Sequence, residues 1–167
     1  MAAHEGGEIA EVEHVYERMV QAQRAFTVDP DDPISSMRDL VAHCWNHYVE
    51  NPELVRLLVT ENLHNGKHVR KSTRIRSLSM PLIDATARVV ASGQAKGLFR
   101  ADVDAQDVLL TIMALGFFYV ANRHTLSTWL GVDLMEAGRR ARWGEHIERV
   151  VLDFLTTRPR AARQRSP

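Results

Sequence analysis

Apolar residues recur every three or four positions along most of the chain, the spacing that places them on one face of an α-helix. The first stripe of this kind covers residues 8–26 and includes Ile9, Val12 and Phe26. Residues 27–33, which follow it, contain two prolines and three aspartates and predict a loop. The sequence therefore predicts an amphipathic helix followed by a loop in the first 33 residues.

Capping residues followed by proline mark where the next two helices begin. Asp32 and Asn51 each precede a proline, and side chains of this type accept hydrogen bonds from the first helical turn. These signals predict helices over about residues 33–50 and 52–64. Asn65, which precedes a glycine, is expected to stop the second of them.

A fourth helix is predicted over about residues 67–97, with a kink at Pro81 because an interior proline removes one backbone hydrogen bond. It carries the basic stretch from Lys67 to Arg76, which is interpreted as a solvated face. A last helix is predicted over about residues 133–157.

The fifth helix begins at Asp102 or Asp104 and extends toward Gly131. From Val108 to Ala121 it is apolar on nearly every side, and a helix of this kind is expected to be buried on every side. One small domain covers only one side of such a helix, so a second copy of the chain is expected to cover the other. No strand-like alternation occurs, and the predicted fold is all-α, a bundle of about six helices.

Composition narrows the classes of function. The 167 residues include 21 Lys and Arg against 21 Asp and Glu, without the basic excess of a nucleic-acid-binding domain. The single cysteine, Cys44, excludes a disulfide framework. No apolar run approaches the roughly 20 residues of a membrane span, and no signal peptide is recognised. The expectation is a cytoplasmic protein with no membrane partner.

Catalysis finds no support in the sequence. Neither a G-x-S-x-G motif nor a glycine-rich phosphate loop is present. Cys44 and His47 are spaced as a conceivable nucleophile and base, but Cys44 lies in the apolar stripe, where a cysteine behaves as an inert hydrophobe. The chain is predicted not to be an enzyme and to need no cofactor.

Glu61 stands out because it falls at the centre of the apolar face of the third predicted helix. A buried carboxylate must be paired, hydrogen-bonded or neutralised. Three interpretations stay open: a buried pair with Arg123 or a histidine, contact with a bound small molecule, or metal ligation. The spacing of Glu61, His64 and His68 would suit a metal, but the Asn-Gly pair is expected to break the helix between the histidines.

His43 and His47 also lie one turn apart, on the second predicted helix. His43 falls opposite the apolar stripe and His47 flanks it. The plainer interpretation is two solvent-facing side chains, and the alternative is that His47 reaches the interior as a polar contact for a ligand.

Three segments in this order resemble the C-terminal domain of the tetracycline-repressor (TetR) family of transcriptional regulators. They are NPELVRLLVTENLHNGKHVR at 51–70, GLFRADVD at 97–104 and LGFFYVANRHTLS at 115–127. The resemblance covers about residues 9–157. It implies a helical domain that binds a small effector in its interior and a homodimer whose last two helices form a four-helix bundle. It also implies a repressor that leaves its operator when the effector binds.

The resemblance leads to two sets of candidate residues. The effector site is expected among the first five helices, at Trp45, His47, Glu61, Met113 and Phe117. The dimer interface is expected at Ile147, Val150, Val151 and Phe154. No metal ligand is assigned.

The expected organisation is an N-terminal tail over 1–7, an effector-binding and dimerisation domain over 8–157, and a basic disordered tail over 158–167. The helix-turn-helix domain of the family is not recognised in this chain, so operator DNA is expected to be bound only through such a domain elsewhere. The alternative function is a stand-alone helical protein that binds a metal or small ligand through Glu61 and nearby histidines.

Overall fold

The computed structural model describes residues 14, 17, 18 and 27–157, without the side chains of residues 75, 76, 78 and 79. The six α-helices of this part are α1 (Pro33–Glu50), α2 (Pro52–Leu63), α3 (Thr73–Ala95), α4 (Ala105–Ala121), α5 (Arg123–Leu130) and α6 (Ala137–Thr156), with a 3₁₀ turn at Val69–Lys71. The described residues contain no strand, and the all-α prediction is confirmed. The helix predicted over 8–26 lies outside them, apart from residues 14, 17 and 18, which are helical.

Two of the three predicted caps behave as expected. The Asp32 carboxylate accepts a hydrogen bond from the Ser35 backbone N–H at 3.0 Å. Asp104, rather than Asp102, caps α4 by accepting from the Gln106 N–H at 2.6 Å. Asn51 precedes α2 but makes no capping hydrogen bond with its side chain, because that side chain turns back toward α1.

Two predicted helices are shorter than expected. The fourth begins at Thr73 rather than near Lys67, because the chain first reverses through Asn65 and Gly66 with φ of 56° and 66°. The fifth predicted helix corresponds to α4 and ends at Ala121. The next helix, α5, is bent by 70° relative to it. At this break the Asn122 side-chain amide donates to the Phe118 carbonyl at 2.9 Å, a local bond that competes with continued helix.

α1 and α4 form the centre of the bundle. α1 and α4 pack against each other, and both of them also pack against α2, α3 and α6. Five helices contribute large side chains that are fully buried. They are Met37 and Leu40 on α1, Leu54 on α2, Val89 on α3, Ile112 on α4, and Ile147 and Leu155 on α6.

α4 is buried on one side only. Val108, Ile112 and Val120 are completely enclosed in the core, whereas Leu110 and Phe118 are 62% and 57% exposed. Burial on every side is therefore not achieved within one protomer. The sequence predicts that this side of α4 is covered as well, and in a single chain it stays exposed.

Within the part of the chain that the structure describes, no single helix is long and apolar enough to cross a membrane. Only α4 and α5 taken together reach the required length and composition, and they are bent by 70°.

Candidate functional site

Glu61 is held by the connection between α2 and α3. Only 4% of the residue is exposed, and its Oε1 accepts a hydrogen bond from Nδ1 of His68. Its Oε2 accepts from the backbone N–H groups of His68 and Val69, at 3.2 and 3.1 Å. The interpretation as a buried pair with a histidine is confirmed. Arg123, the other suggested partner, instead donates to the Val120 carbonyl at 2.8 Å.

The charge of Glu61 is stabilised by these donors. Burial opposes ionisation of the carboxyl, but the hydrogen bonds from the His68 ring and the two backbone N–H groups outweigh it and lower its pKa. Both oxygens are already engaged as acceptors. A role for Glu61 in contacting an effector stays a prediction. Its hydrogen bonds to His68 and Val69 give it a structural role in the α2–α3 connection.

His47 differs because only one of its ring nitrogens has a partner. Its Nδ1 lies 3.3 Å from Nδ2 of Asn51, which also donates to the His47 carbonyl at 2.8 Å. Its Nε2 is sealed from solvent and has no hydrogen-bond partner among the residues that the structure describes. A buried polar atom in this state costs free energy unless something else satisfies it.

Aromatic rings surround this nitrogen-bearing edge of α1. The ring of His43 stacks on His47 with centroids 6.4 Å apart, and the ring of Tyr48 lies at the same distance. Phe117 of α4 packs edge-on against Tyr48, with centroids 6.0 Å apart, and Met113 is half-buried one turn earlier on α4. Both His47 and Phe117 therefore lie next to the ring of Tyr48.

The expectation that both histidines of α1 face solvent is wrong. Both residues are half-buried, and burial lowers the pKa of each imidazole. For His47 the neighbouring His43 lowers the pKa further, while Glu50 and Glu53 oppose the shift. At neutral pH the His47 ring is therefore uncharged.

Trp45, the remaining residue of the predicted effector site, lies apart from His47. Two positions along a helix correspond to about 200° of rotation, so the two side chains leave α1 on different sides. Trp45 is 5% exposed and packs edge-on against Tyr119 at 5.4 Å. A Cβ added at Gly144 of α6 would lie 2.9 Å from its indole ring. Trp45 thus serves the contact between α1 and α6, beside an open cleft of about 370 Å³.

The predicted dimer interface needs a correction. Ile147 and Val151 are 1% and 0% exposed, because the apolar stripe of α6 packs into the core of its own protomer. They present no surface to a second chain. Val150 is half-buried, and Phe154 is 38% exposed with the Arg100 guanidinium 5.4 Å from its ring centre.

A different part of the surface is apolar and open. A cleft of about 450 Å³ lies between α4, α5 and α6, with Phe118, Leu130 and Trp143 among its lining residues and Arg139, Arg142 and Arg149 beside them. Trp129 and Leu130 at the end of α5 are 77% and 62% exposed. We call Leu110, Phe118, Leu130 and this cleft the α4–α6 face.

The remaining reactive side chains form no centre of their own. Among the described residues, no three of the types His, Cys, Asp and Glu are placed to hold a metal ion. The ring of His64 is directed to the Thr60 carbonyl at 2.9 Å instead of toward Glu61. Cys44 is buried, and burial raises the pKa of its thiol to about 12, so it is protonated at neutral pH.

Comparisons with known proteins agree with this architecture. Residues 33–151 match the family model described as "Tetracyclin repressor-like, C-terminal domain". The chain is also 42% identical over 147 residues to the HTH-type transcriptional repressor NicS of Pseudomonas putida, a match that covers 88% of this chain and 69% of NicS. The chain therefore belongs to the TetR family of transcriptional regulators. The matched residues form its ligand-sensing regulatory domain, and the resemblance found in the sequence is confirmed.

Proposed function

We propose that this domain senses a small molecule between α1, α2 and α4, and that it works in the cytoplasm as part of a homodimeric repressor. In this proposal the effector contacts His47 and lies near Phe117 and Met113. Its binding releases operator DNA held by a helix-turn-helix domain. The observation that carries the sensing site is the buried Nε2 of His47, which lacks a partner among the described residues.

The contacts around Glu61 support placing the effector at His47. The Glu61 oxygens accept from three N–H groups and have little capacity left for a ligand. His47 keeps an unused polar atom beside aromatic side chains, the combination of apolar lining and few polar groups that small-molecule sites use.

A melting experiment tests this site. A ligand that binds the folded chain raises its melting temperature, and the rise grows with the ligand concentration relative to the dissociation constant. We expect compounds from an aromatic and heteroaromatic library to raise the melting temperature of the wild type, and to lose this effect in His47→Leu. Leu replaces the imidazole with an apolar group of comparable size. Compounds that stabilise both proteins equally would place the effector elsewhere.

The dimer is proposed to form through the α4–α6 face. A two-fold axis brings the same patch of both subunits together, so an exposed apolar surface on α4 can be covered by its own copy. Leu110 and Phe118 lie two turns apart on one side of α4, with Ala114 exposed between them. This interface keeps the predicted exposed side of α4 and replaces Ile147 and Val151 of α6, which face inward.

Light scattering after size exclusion tests the interface. The wild type should have twice the 18.9 kDa mass of one chain at micromolar concentration. Phe118→Arg should shift it toward monomer, because a charge would be desolvated in the interface. Leu63→Arg is the matched control, since Leu63 is 76% exposed at the end of α2, away from this face. A monomeric wild type, or a Phe118→Arg dimer as tight as the control, would contradict the proposal.

A further inference from the structure

We propose that Asn51 locks the neutral His47 ring into the tautomer with hydrogen on Nε2, so that the site selects effectors bearing a hydrogen-bond acceptor. Suitable acceptors are a carbonyl oxygen or an aromatic ring nitrogen on an apolar, aromatic body. This inference rests on the proposed sensing site at His47 and adds the chemistry that its ligand must present.

The first step is the orientation of the Asn51 amide. One end of this amide lies 2.8 Å from the backbone carbonyl oxygen of His47. A carbonyl only accepts, so the atom that faces it must be the NH₂ group and not the amide oxygen. The same carbonyl also accepts from the Asn51 backbone N–H at 3.1 Å, which anchors the residue at the end of α1.

The second step is the tautomer. The Asn51 NH₂ group has two hydrogens, and with one on the His47 carbonyl the other is available to Nδ1 of the ring at 3.3 Å. Two donors cannot share a hydrogen bond, so Nδ1 must be the unprotonated, accepting nitrogen. In a neutral imidazole the hydrogen then lies on Nε2.

The third step is what this hydrogen meets. Nε2 is buried and has no acceptor among the described residues. An unmade buried hydrogen bond costs about 1–3 kcal/mol, and a ligand that supplies the acceptor recovers it. A ligand that offers only a donor would place two hydrogens against each other, and sites built in this way discriminate strongly against such molecules.

The surroundings indicate the body of the ligand. The rings of His43 and Tyr48 each lie 6.4 Å from the ring of His47. Phe117 of α4 packs against Tyr48. Burial also keeps His47 neutral, as the lowered pKa of its ring shows. These aromatic neighbours favour a flat aromatic molecule with one acceptor as the ligand.

Nuclear magnetic resonance of ¹⁵N-histidine-labelled protein tests the tautomer directly. The two ring nitrogens of a neutral histidine differ widely in shift, and each tautomer has its own coupling pattern. At about pH 7.5 we expect His47 as the pure Nε2–H form, and a mixture of tautomers in Asn51→Ala. The Nδ1–H form or an imidazolium in the wild type would overturn the proposal.

Binding of three similar bicyclic probes tests the selectivity. Quinoline offers only an acceptor, indole only a donor and indane neither. We expect quinoline to shift the His47 ring resonances and to bind at least about tenfold more tightly than indole or indane. His47→Gln, whose terminal amide offers both a donor and an acceptor, should narrow the difference between quinoline and indole. His47→Leu should lose it, and His64→Leu, an exposed control, should not change it.

The outcomes separate this inference from the proposed site. Indole binding as tightly as quinoline at His47 would overturn the selectivity and leave the sensing site intact. Probes that bind without moving the His47 resonances would overturn the inference, while leaving a ligand-sensing domain. If neither these probes nor any acceptor-bearing fragment of a wider library perturbs the protein, both proposals fail.

Discussion

Glu61 and His47 are both polar side chains in an apolar interior, and they differ in how far the protein itself satisfies them. Both oxygens of Glu61 accept, and three N–H groups of the α2–α3 connection supply the hydrogen bonds. His47 has a partner on Nδ1, while its buried Nε2 has none among the described residues. The contrast separates a side chain that the fold satisfies from one that keeps a buried polar atom without a partner among the described residues.

The local chain path explains this difference. After α2 the chain reverses through left-handed Asn65 and Gly66, which returns the backbone N–H groups of His68 and Val69 to Glu61. Asn51, the residue directly after α1, lies four residues beyond His47, and its side-chain amide reaches Nδ1 of the His47 ring. Nε2 has no such neighbour among the described residues.

The largest effect is expected from Glu61→Leu. Removing this carboxylate leaves two backbone N–H groups and the His68 ring without their acceptor, and such a loss costs on the order of 3–5 kcal/mol. Urea denaturation of wild type and variant at neutral pH measures the difference in free energy of unfolding.

Glu148→Leu is the control for that experiment. Glu148 pairs with Arg38 at 2.8 Å on the surface, where such pairs contribute about 0–1 kcal/mol. A Glu61→Leu loss no larger than that of the control would mean that Glu61 is not the anchor of the α2–α3 connection.

The sequence predicted the helices better than the positions of the side chains. Asp32 was recognised because a cap is a local signal, and it caps α1 as expected. Asn51 carries the same signal, yet its side chain bonds to the His47 carbonyl four residues earlier instead of capping α2. The break at Asn122 was missed, although the apolar stretch ends at Ala121 and four polar residues follow it.

The interface residues show a second limit of sequence reasoning. Helical periodicity locates an apolar stripe on α6 but does not say what covers it. Ile147 and Val151 are covered by their own protomer. The buried pair at Glu61 was easier to predict, because a glutamate in an apolar stripe indicates a buried partner. Its partner His68, seven residues on, could be identified only once the turn between them was known.

A smaller effect, in a different pH range, distinguishes the two sites. Because burial lowers the folded-state pKa of His47 below its ordinary 6.5, the unfolded chain binds more protons than the folded chain once the pH falls below that value. Stability should therefore decline as the pH falls below about 6.5, and less steeply in His47→Gln. Because the folded-state pKa of Glu61 is below 4.5, its contribution should be lost only under more acidic conditions.

Urea titrations at closely spaced pH values measure both steps. Glu61→Gln should reduce the acidic loss and leave the step below pH 6.5. Hydrogen bonds also lower the pKa of Asp32, Asp102 and Glu136, so these carboxyls keep part of the acidic loss. The same slope for wild type and His47→Gln below about pH 6.5 would show that His47 is not held neutral by burial.

The most direct test of the central claim is the free energy of unfolding of His47→Leu, measured beside Glu61→Leu at about pH 7.5. If Nε2 of His47 is unsatisfied in the absence of a ligand, an apolar replacement removes a buried, unpaired donor. Stability should then stay within about 1 kcal/mol of the wild type or rise. A loss as large as that of Glu61→Leu would contradict the account, because it would make His47 a second structural anchor and not a ligand contact.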